Sequence, residues 1–208
     1  MSTFHKLTIQ QIIKETPDAV SILFEVPTSL QEQFSFVAGQ YITIKKELEE
    51  TEVRRAYSIC ASPNSNQLKV AIKSVEKGFF SVFATSKLKE GDILEVAEPE
   101  GKFILAPVNE PSSTFTLVYG NKAAESTIFK NELDALAEKY TSQFNLHYVF
   151  SKELKNDSEF GRINKERTNL IVKNIHNDLS FDAAFLCGPE AMIHTVSETL
   201  QENGMDEE

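Results

Sequence analysis

The sequence predicts an antiparallel β-barrel followed by a smaller α/β domain with an incomplete parallel sheet. Up to residue 105, apolar and polar residues alternate in short runs separated by turn residues, which is typical of antiparallel strands. From residue 114 onward, short apolar runs ending in glycine are followed by helical patterns, which is typical of a parallel, doubly wound sheet. We expect one domain over 1–105 and another over 114–208, joined by the segment 106–113, which is rich in proline and serine.

Six runs in the first half alternate in the manner of half-buried strands. They are KLTIQQII, AVSILFEV, QYITIKKE, RAYSICA, LKVAIKSV and DILEVAEP. Short strands at such spacing favour a barrel or a sandwich. One helix is predicted to interrupt them at 79–87, directly after Gly78.

The second half contains three predicted strands, FTLVYG, FNLHYVFS and AAFLCG, and two amphipathic helices. One helix has apolar residues at i, i+4, i+7 and i+11, and the other has them at i, i+3 and i+7, so each helix carries a single apolar stripe. The residues are Phe129, Leu133, Leu136 and Tyr140 in the first helix, and Ile193, Val196 and Leu200 in the second.

The bulk composition excludes several classes of protein. With 208 residues, of which 41% are hydrophobic and 25% charged, the chain is typical of a folded globular protein. A net charge of −10 argues against nucleic acid, which needs a basic face, and no apolar run reaches the length of a membrane span. Cys60 and Cys187 lie far apart and the four histidines are scattered, so we expect a cytoplasmic protein without a metal site.

Two segments of the first half contain residue types that bind phosphate. In VRRAYSICASP, Arg55 offers a planar fork suited to phosphate oxygens, Tyr57 points to the same strand face, and Ser58 adds a small donor. In KGFFS, Gly78 opens the predicted helix and Ser81 lies in its first turn, where free N–H groups attract anions. The alternatives are an ordinary surface arginine on a half-exposed strand and an ordinary loop-to-helix junction.

Two predicted strand ends in the second half are candidate ligand contacts, because ligands bind beyond the carboxyl ends of parallel strands. At VYGNK, Asn121 and Lys122 could meet the ribose or phosphate of a nucleotide, although Asn121 fits a helix cap equally well. At FLCGPEAM, the side chain of Cys187 would face a cleft, with Met192 on the first helical turn. A free cysteine that only packs is the alternative there.

Six segments occur in the order found in ferredoxin–NADP reductase-like flavoproteins, and the chain resembles that family over nearly its whole length. The segments are FVAGQYITI, RAYS, VAIK, GFFS, EPEGKF and CGPEAM. The run FTLVYGNKAAESTIFKNELDALAEKY is most similar to the reductases of phenylacetate degradation. The resemblance implies that the barrel binds FAD, that the second domain binds NADH or NADPH, and that electrons pass to an iron–sulfur domain or protein.

The resemblance also implies roles for individual residues. Arg55 would hold the FAD pyrophosphate, Tyr57 would lie against the isoalloxazine ring, and Ser58 would donate a hydrogen bond near the reactive flavin nitrogen. Cys187 would lie beside the nicotinamide, so Ser58 and Cys187 are the candidate catalytic residues. The other implied cofactor contacts are Ala56, Ile72, Lys73, Gly78, Phe79, Phe80, Ser81, Asn121, Lys122, Gly188, Pro189 and Met192.

The sequence departs from the family pattern before FTLVYGN, where the family has a strand, a GxGITP-type turn and a helix. No glycine-rich loop lies between Gly101 and Gly120. That loop normally presents a helix N-terminus to the dinucleotide pyrophosphate, and its strand lies at the centre of the sheet. We therefore expect weak or absent binding of NADH and NADPH. The segments 115–120 and 183–188 must either pair directly or leave open edges, so the second half should also be less stable.

The C-terminal end also departs from the pattern. The sequence stops where the family adds a last strand, and the resembled reductases continue into a plant-type [2Fe–2S] domain. Two cysteines cannot build a Cys₄ cluster, so the electron acceptor is expected to lie elsewhere.

Three functions stay open on the sequence alone. The first is an FAD-dependent reductase module that moves electrons from NADH or NADPH to an iron–sulfur partner. The second is a flavin-binding module whose nicotinamide activity is lost or weak. The third is a cofactor-free interaction domain that keeps the barrel shape. Yellow colour in the purified protein would exclude the third, and bleaching by NADH or NADPH would separate the first from the second.

Overall fold

The computed structural model describes residues 3–104, 113–154 and 158–206. The chain divides into two compact units, Met1–Pro111 and Ser112–Glu208. Except for its last residue, the expected connecting segment 106–113 lies outside the described residues.

Six antiparallel strands build the first unit. They are β1 (Phe4–Thr16), β2 (Ala19–Glu25), β3 (Tyr41–Leu48), β4 (Thr51–Ser58), β5 (Leu68–Lys73) and β6 (Ile93–Ala97). Their order in the sheet is β4-β3-β6-β1-β2-β5, and the two outer strands meet where Ile59, just after β4, bridges to Val70 of β5. The sheet therefore closes on itself, which confirms the predicted antiparallel barrel.

Alternation along the strands fills this barrel with one apolar core. In β5, for example, Leu68, Val70 and Ile72 are buried, while Lys69 and Lys73 are only half-buried. Helix α1 (Phe79–Ser86) contacts β5 and β2, and its residues Phe80 and Ala84 join the same core. The helix lies within one residue of its predicted position.

The glycine of the run VAGQY is required by a close backbone approach. Gly39 has a φ of 98°, and a Cβ atom there would lie 1.7 Å from the carbonyl oxygen of Phe103. Any side chain at residue 39 would therefore displace the backbone that leaves the barrel.

Three parallel strands form the sheet of the second unit, in the order β7 (Phe115–Asn121), β8 (Phe144–Phe150) and β9 (Glu159–Phe160). The helices around it are α2 (Lys130–Lys139), α3 (Lys165–Asn169), a π-helical turn over Leu170–Ile175, and α4 (Glu190–Glu202). The expected parallel pairing is confirmed for β7 and β8, with α2 between them in the chain, and the second predicted amphipathic helix is present as α4. Among the described residues, no helix is long and apolar enough to cross a membrane.

The predicted strand AAFLCG is not formed, so this prediction is wrong. Residues 183–188, all of them described, belong to no strand of either sheet, and Phe185 is 43% exposed. The physical reason lies in the missing family segment, because its strand would have provided the edge on which 183–188 pairs. Of the two expected outcomes, direct pairing of 115–120 with 183–188 does not occur.

Strand β7 also lacks the neighbour that the missing family strand would provide. Its sequence FTLVYGN is typical of a strand buried on both faces, yet every residue of β7 is half-buried or exposed. Within the described part of the chain, β7 pairs only with β8. Its second edge is therefore the one that the missing strand would occupy.

Candidate functional site

Strand β4 contains two neighbouring arginines, of which only one forms an ion pair with a described residue. The Nε of Arg54 lies 2.8 Å from the Oε1 of Glu52, which neutralises its charge. Arg55 is exposed, makes no ion pair with any described residue, and donates from Nη1 to the carbonyl oxygen of Arg54 at 2.7 Å. Its remaining guanidinium donors fit an anionic ligand.

Tyr57 connects β4 to helix α1. It is half-buried against the barrel core, and its ring centroid lies 5.9 Å from that of Phe80 in the first turn of the helix. Burial raises the pKa of the Tyr57 hydroxyl, and the positive charge of Arg55 opposes this shift. Residues 55–58 and the start of α1, the two segments predicted to bind phosphate, therefore lie side by side.

The first turn of α1 provides backbone donors rather than the predicted side-chain donor. The N–H groups of Phe79, Phe80 and Ser81 have no intrahelical acceptor, as in the first turn of any helix. The Oγ of Ser81 accepts from the N–H of Val75 at 3.2 Å and donates to the carbonyl oxygen of Gly78 at 3.2 Å. The Ser81 hydroxyl thus shapes the turn, while the amides and the helix dipole provide the anion-binding capacity.

Two predicted cofactor contacts have side chains that face the core. Ile72 is 0% exposed and Phe80 is 1% exposed as whole residues, so both lie in the barrel core of this structure. Their contact with the flavin stays a prediction. The other predicted contacts of this unit are more accessible: Ala56, Ser58 and Phe79 are exposed, and Lys73 is half-buried with its Nζ 3.6 Å from Asp18.

In the second unit, polar residues follow the carboxyl ends of the three parallel strands. Asn121 ends β7, Ser151 and Lys152 follow β8, and Arg162 lies two residues beyond β9. The N–H of Lys152 donates to the carbonyl oxygen of Lys122 at 2.9 Å, which ties the first two strand ends together. This edge is where nucleotides bind in open α/β sheets.

Asn121 does not cap a helix, which removes one of its two expected roles. The next helical turn, Ala124–Ser126, is preceded by Ala123, whose N–H donates to the Oγ of Ser126 at 3.1 Å. The Nδ2 of Asn121 is buried and makes no hydrogen bond of normal geometry with a described residue. The Asn121 side chain does lie near the Tyr119 hydroxyl: burial raises the pKa of Tyr119, and Asn121 opposes this shift. A buried amide left unpaired in this way fits a ligand that accepts its hydrogen bond.

A cavity of about 360 Å³ lies beyond β9 and contains an arginine that the sequence patterns did not single out. Arg162 lines this cavity, is exposed, and forms no ion pair with any described residue. The second arginine of the lining, Arg167, is held by Glu159 and by the carbonyl oxygen of Phe160. The sequence feature that could have identified Arg162 is its position just after the short strand β9.

The two cysteines differ in exposure. Cys187 is exposed and follows the segment that forms no strand, so the predicted strand end is absent there. Gly188 and Pro189 are also exposed, and half-buried Met192 lies in the first turn of α4, as expected. Cys60 is half-buried, and burial raises the pKa of its thiol to about 11, so it is the less reactive of the two.

Two family models match adjoining parts of the chain. The oxidoreductase FAD-binding domain matches residues 6–104, and the oxidoreductase NAD-binding domain matches residues 99–198. Together they account for most of the sequence. FAD and a nicotinamide nucleotide are thus the cofactors of the family.

Similar proteins agree with these matches. The chain is 36% identical to one of the subunits of 1,2-phenylacetyl-CoA epoxidase from Escherichia coli, over 99% of this chain and 66% of that protein. It is 29% identical to the ferredoxin reductase component of 3-ketosteroid-9-alpha-monooxygenase from Rhodococcus rhodochrous, over 96% of this chain and 61% of that protein. The chain therefore spans less than two thirds of the length of either relative.

The alignment with the Escherichia coli protein also bears on the missing segment. It runs over 234 positions, whereas this chain has 208 residues, so at least 26 positions of the alignment have no residue of this chain.

A solved structure shows the same fold. The ferredoxin NADP⁺ reductase from Neisseria gonorrhoeae, determined with bound FAD and NADP, superposes with a TM-score of 0.80 at 19% identity, covering 98% of this chain and 93% of that one. On the two family models, the relatives and the fold, this chain belongs to the ferredoxin–NADP reductase-like family of FAD- and NAD(P)-dependent oxidoreductases.

Proposed function

We propose that this chain is the flavin reductase module of an electron-transfer system. Residues 1–105 bind FAD, residues 114–208 bind NADPH or NADH, and electrons pass from the nucleotide through the flavin to an iron–sulfur domain or protein. The observation that carries the proposal is that Tyr57 is close to both predicted phosphate-binding segments: the charge of Arg55 acts on its hydroxyl, and its ring contacts Phe80 in the first turn of α1. Arg55 itself has no ion-pair partner among the described residues.

In the proposed FAD site, each group has a separate task. The Arg55 guanidinium and the α1 amides bind the pyrophosphate, because both offer donors to anionic oxygens. Tyr57 places its ring beside the isoalloxazine, and the exposed Ser58 hydroxyl donates towards the reactive edge of that ring. When bound, FAD supplies the redox chemistry, while the protein supplies position and electrostatics.

The proposed nucleotide site lies at the carboxyl edge of the β7-β8-β9 sheet. Asn121 donates its unpaired amide to the ribose or phosphate, and Lys122 adds a positive charge. Cys187 lies beside the nicotinamide, where its soft side chain contacts the ring. Binding is weak, because no glycine-rich loop presents a helix N-terminus to the pyrophosphate.

We further propose that the cavity beyond β9 binds the 2′-phosphate of NADPH. Arg162 lines this cavity and carries a charge that no described residue neutralises. An arginine near the ribose is the usual means of accommodating that phosphate in dinucleotide-binding folds. NADPH is therefore the preferred donor over NADH.

The relatives support an iron–sulfur acceptor. One belongs to phenylacetyl-CoA epoxidase and the other is the ferredoxin reductase component of a monooxygenase, which places both in oxygenase systems. This chain has two cysteines, too few for a Cys₄ cluster, so the acceptor lies outside these 208 residues. The phenylacetate pathway is the proposed setting.

A second candidate function is a flavin-binding module with little nicotinamide activity. The missing segment before β7 favours it, since that segment carries the pyrophosphate-binding turn in the family. The two candidates share the FAD site and differ only in whether the nucleotide reduces the flavin.

The experiment that tests the first candidate uses the FAD-loaded chain, NADPH and a plant-type [2Fe–2S] ferredoxin under anaerobic conditions. We expect ferredoxin reduction that depends on both the chain and NADPH. A chain that reduces ferricyanide but no [2Fe–2S] protein would contradict the acceptor class, and a chain that retains no FAD would contradict the whole proposal.

A further inference from the structure

Two histidines form a direct pair in the second unit. The Nε2 atoms of His147 and His176 lie 2.8 Å apart, and the rings meet edge to face with centroids 5.0 Å apart. Both residues are half-buried. They lie 29 residues apart in the sequence, so the fold brings them together.

The local backbone fixes each ring in place. His147 lies in the middle of β8, opposite Val118 of β7. His176 directly follows the π-helical turn Leu170–Ile175, and its N–H donates to the carbonyl oxygen of Ile171 at 3.0 Å, a bond that spans five residues. Ile171 is itself buried. Such π-helical turns are rare and are found frequently at functional sites.

The chemistry of the pair limits how many protons it can hold. One Nε2 must donate and the other must accept for the 2.8 Å contact to be a hydrogen bond. A neutral pair meets this condition, and so does a pair with one added proton. A second added proton puts N–H groups on both Nε2 atoms and two positive charges within contact distance, which breaks the bond.

The charged groups on the elements around the two histidines do not allow the pair to keep its hydrogen bond with two added protons. They are Glu159 on β9, Arg167 on α3, the exposed Lys173 on the π-helical turn, the exposed Lys165–Glu202 pair that joins α3 to α4, and Asp178, two residues after His176. Asp178 is exposed, so solvent screens its charge. Burial lowers the pKa of His147, the charge of His176 lowers it further, and Glu159 opposes both effects. Glu159 is already paired with Arg167, so it offers little to a second imidazolium.

We propose that His147 and His176 form a pH-sensitive latch that fastens the segment 176–189 to strand β8. The latch is closed while the pair shares one Nε2 proton and opens when both rings are charged. His176 is the anchor at the start of this segment, since its carbonyl oxygen also accepts from the N–H of Leu179 at 3.1 Å. The same segment carries Cys187, so an open latch would disturb the nicotinamide contact, a consequence that rests on the proposed function.

The direction of the pH effect follows from the protons bound. The folded chain binds its second proton less readily than two separate histidines do. Stability from the latch is therefore fully present above the ordinary histidine pKa of about 6.5, and it is lost as the pH falls below that value.

The test is a titration of the imidazole nitrogens by ¹H–¹⁵N NMR, from neutral pH to about pH 5, without any cofactor. We expect a coupled titration of the two rings and, after correction for intrinsic rates, a several-fold loss of protection at the acidic end for the amides of His176 and Leu179, which donate the backbone hydrogen bonds at the start of this segment. His176→Gln keeps a hydrogen-bonding partner for His147 but cannot be charged. In that variant the midpoint of His147 should rise, and the pH-dependent loss of protection should disappear.

His194→Gln is the matched control, because His194 is exposed on α4. It should leave both the His147 midpoint and the protection pattern unchanged. If the His147 midpoint is the same in the native chain and in His176→Gln, or if protection of the His176 and Leu179 amides is independent of pH in the native chain, the latch does not exist. Should His176→Gln fail to fold, His147→Gln gives the mirror test through the same amides.

Discussion

Arg54 and Arg55 are adjacent, yet only one of them is equipped to bind an anion. Arg54 is paired with Glu52, and its guanidinium also lies over the ring of Phe4, with Cζ 5.2 Å from the ring centroid. The side chain of Arg55 is bonded to a single backbone oxygen and lies on the same strand face as Tyr57. The difference between the two follows from strand alternation, which sends neighbouring side chains to opposite faces.

Replacement of Arg55 tests the FAD site at the level of one side chain. A charge-assisted hydrogen bond is worth about 1.5–3 kcal/mol, so Arg55→Ala should weaken FAD binding by roughly tenfold to a hundredfold. Arg54→Ala is the control and should leave FAD affinity within about twofold, because its charge is already neutralised at the surface. Fluorescence titration of the apoprotein with FAD gives both values. Equal affinities in the two variants would remove Arg55 from the site.

Replacement of Arg162 tests the choice between the two nucleotides. If its guanidinium binds the 2′-phosphate, Arg162→Ala should raise the NADPH concentration needed for half-maximal flavin reduction by about tenfold or more and leave the NADH value nearly unchanged. Lys165→Ala is a suitable control, since Lys165 is paired with Glu202. A parallel rise for both nucleotides would assign Arg162 to a shared part of the ligand, and no rise would remove it from the site.

At the scale of elements, the turn into α1 is the most constrained part of the first unit. A Cβ atom on Gly78 would lie 2.3 Å from the Oγ of Ser81 and 2.5 Å from a methyl carbon of Val75. The N–H of Gly78 donates to the carbonyl oxygen of Val75 at 2.8 Å, so the turn has no room to relax. The tight turn therefore fixes where α1 begins and how its first turn is oriented.

Gly78→Ala should therefore lower the free energy of unfolding by about 1–3 kcal/mol, the usual cost of overpacking, and reduce FAD retention with it. Lys77→Gly is the matched control. Lys77 has a φ of 61°, so glycine relieves strain there while it raises the entropy of the unfolded chain, and the net change should stay within about 1 kcal/mol. Thermal unfolding of both variants checks this, and equal stabilities for Gly78→Ala and the parent would contradict the packing argument.

The sequence predicts a structural feature when the residues that determine it are close together in the chain. The barrel strands follow from the alternation of apolar and polar residues, and α1 follows from the helix start at Gly78. Each of these patterns spans only a few residues, and the positions of the strands and of α1 are confirmed. Residues 183–188 have the composition of a strand, but a strand needs a neighbouring edge, and no local pattern reveals that this edge is missing. Ile72 and Phe80 belong to the segments that resemble cofactor-binding motifs, yet both are buried in the barrel core, so a motif does not by itself say which of its residues are accessible. The pairing of His147 with His176 depends on tertiary structure alone.

At the scale of the whole molecule, the two units should differ in stability. The barrel has a continuous core, whereas no residue of β7 is fully buried and one edge of β7 has no partner among the described residues. Apolar burial is worth about 25 cal/mol per Å², so a half-buried sheet gains much less from it. Amide hydrogen exchange should therefore be faster across 114–208 than across 1–105. Uniform protection of both regions would mean that another element replaces the missing strand.

The central claim is that this chain moves electrons from a nicotinamide nucleotide to its own flavin. The most direct measurement is the visible absorbance of the FAD-loaded chain, mixed anaerobically with increasing NADPH in a stopped-flow instrument. We predict that the flavin band bleaches at a rate that rises with NADPH into the millimolar range, the weak end of ordinary enzyme KM values, because the glycine-rich loop is absent. A flavin that stays oxidised at every NADPH and NADH concentration, but bleaches with dithionite, would contradict the claim.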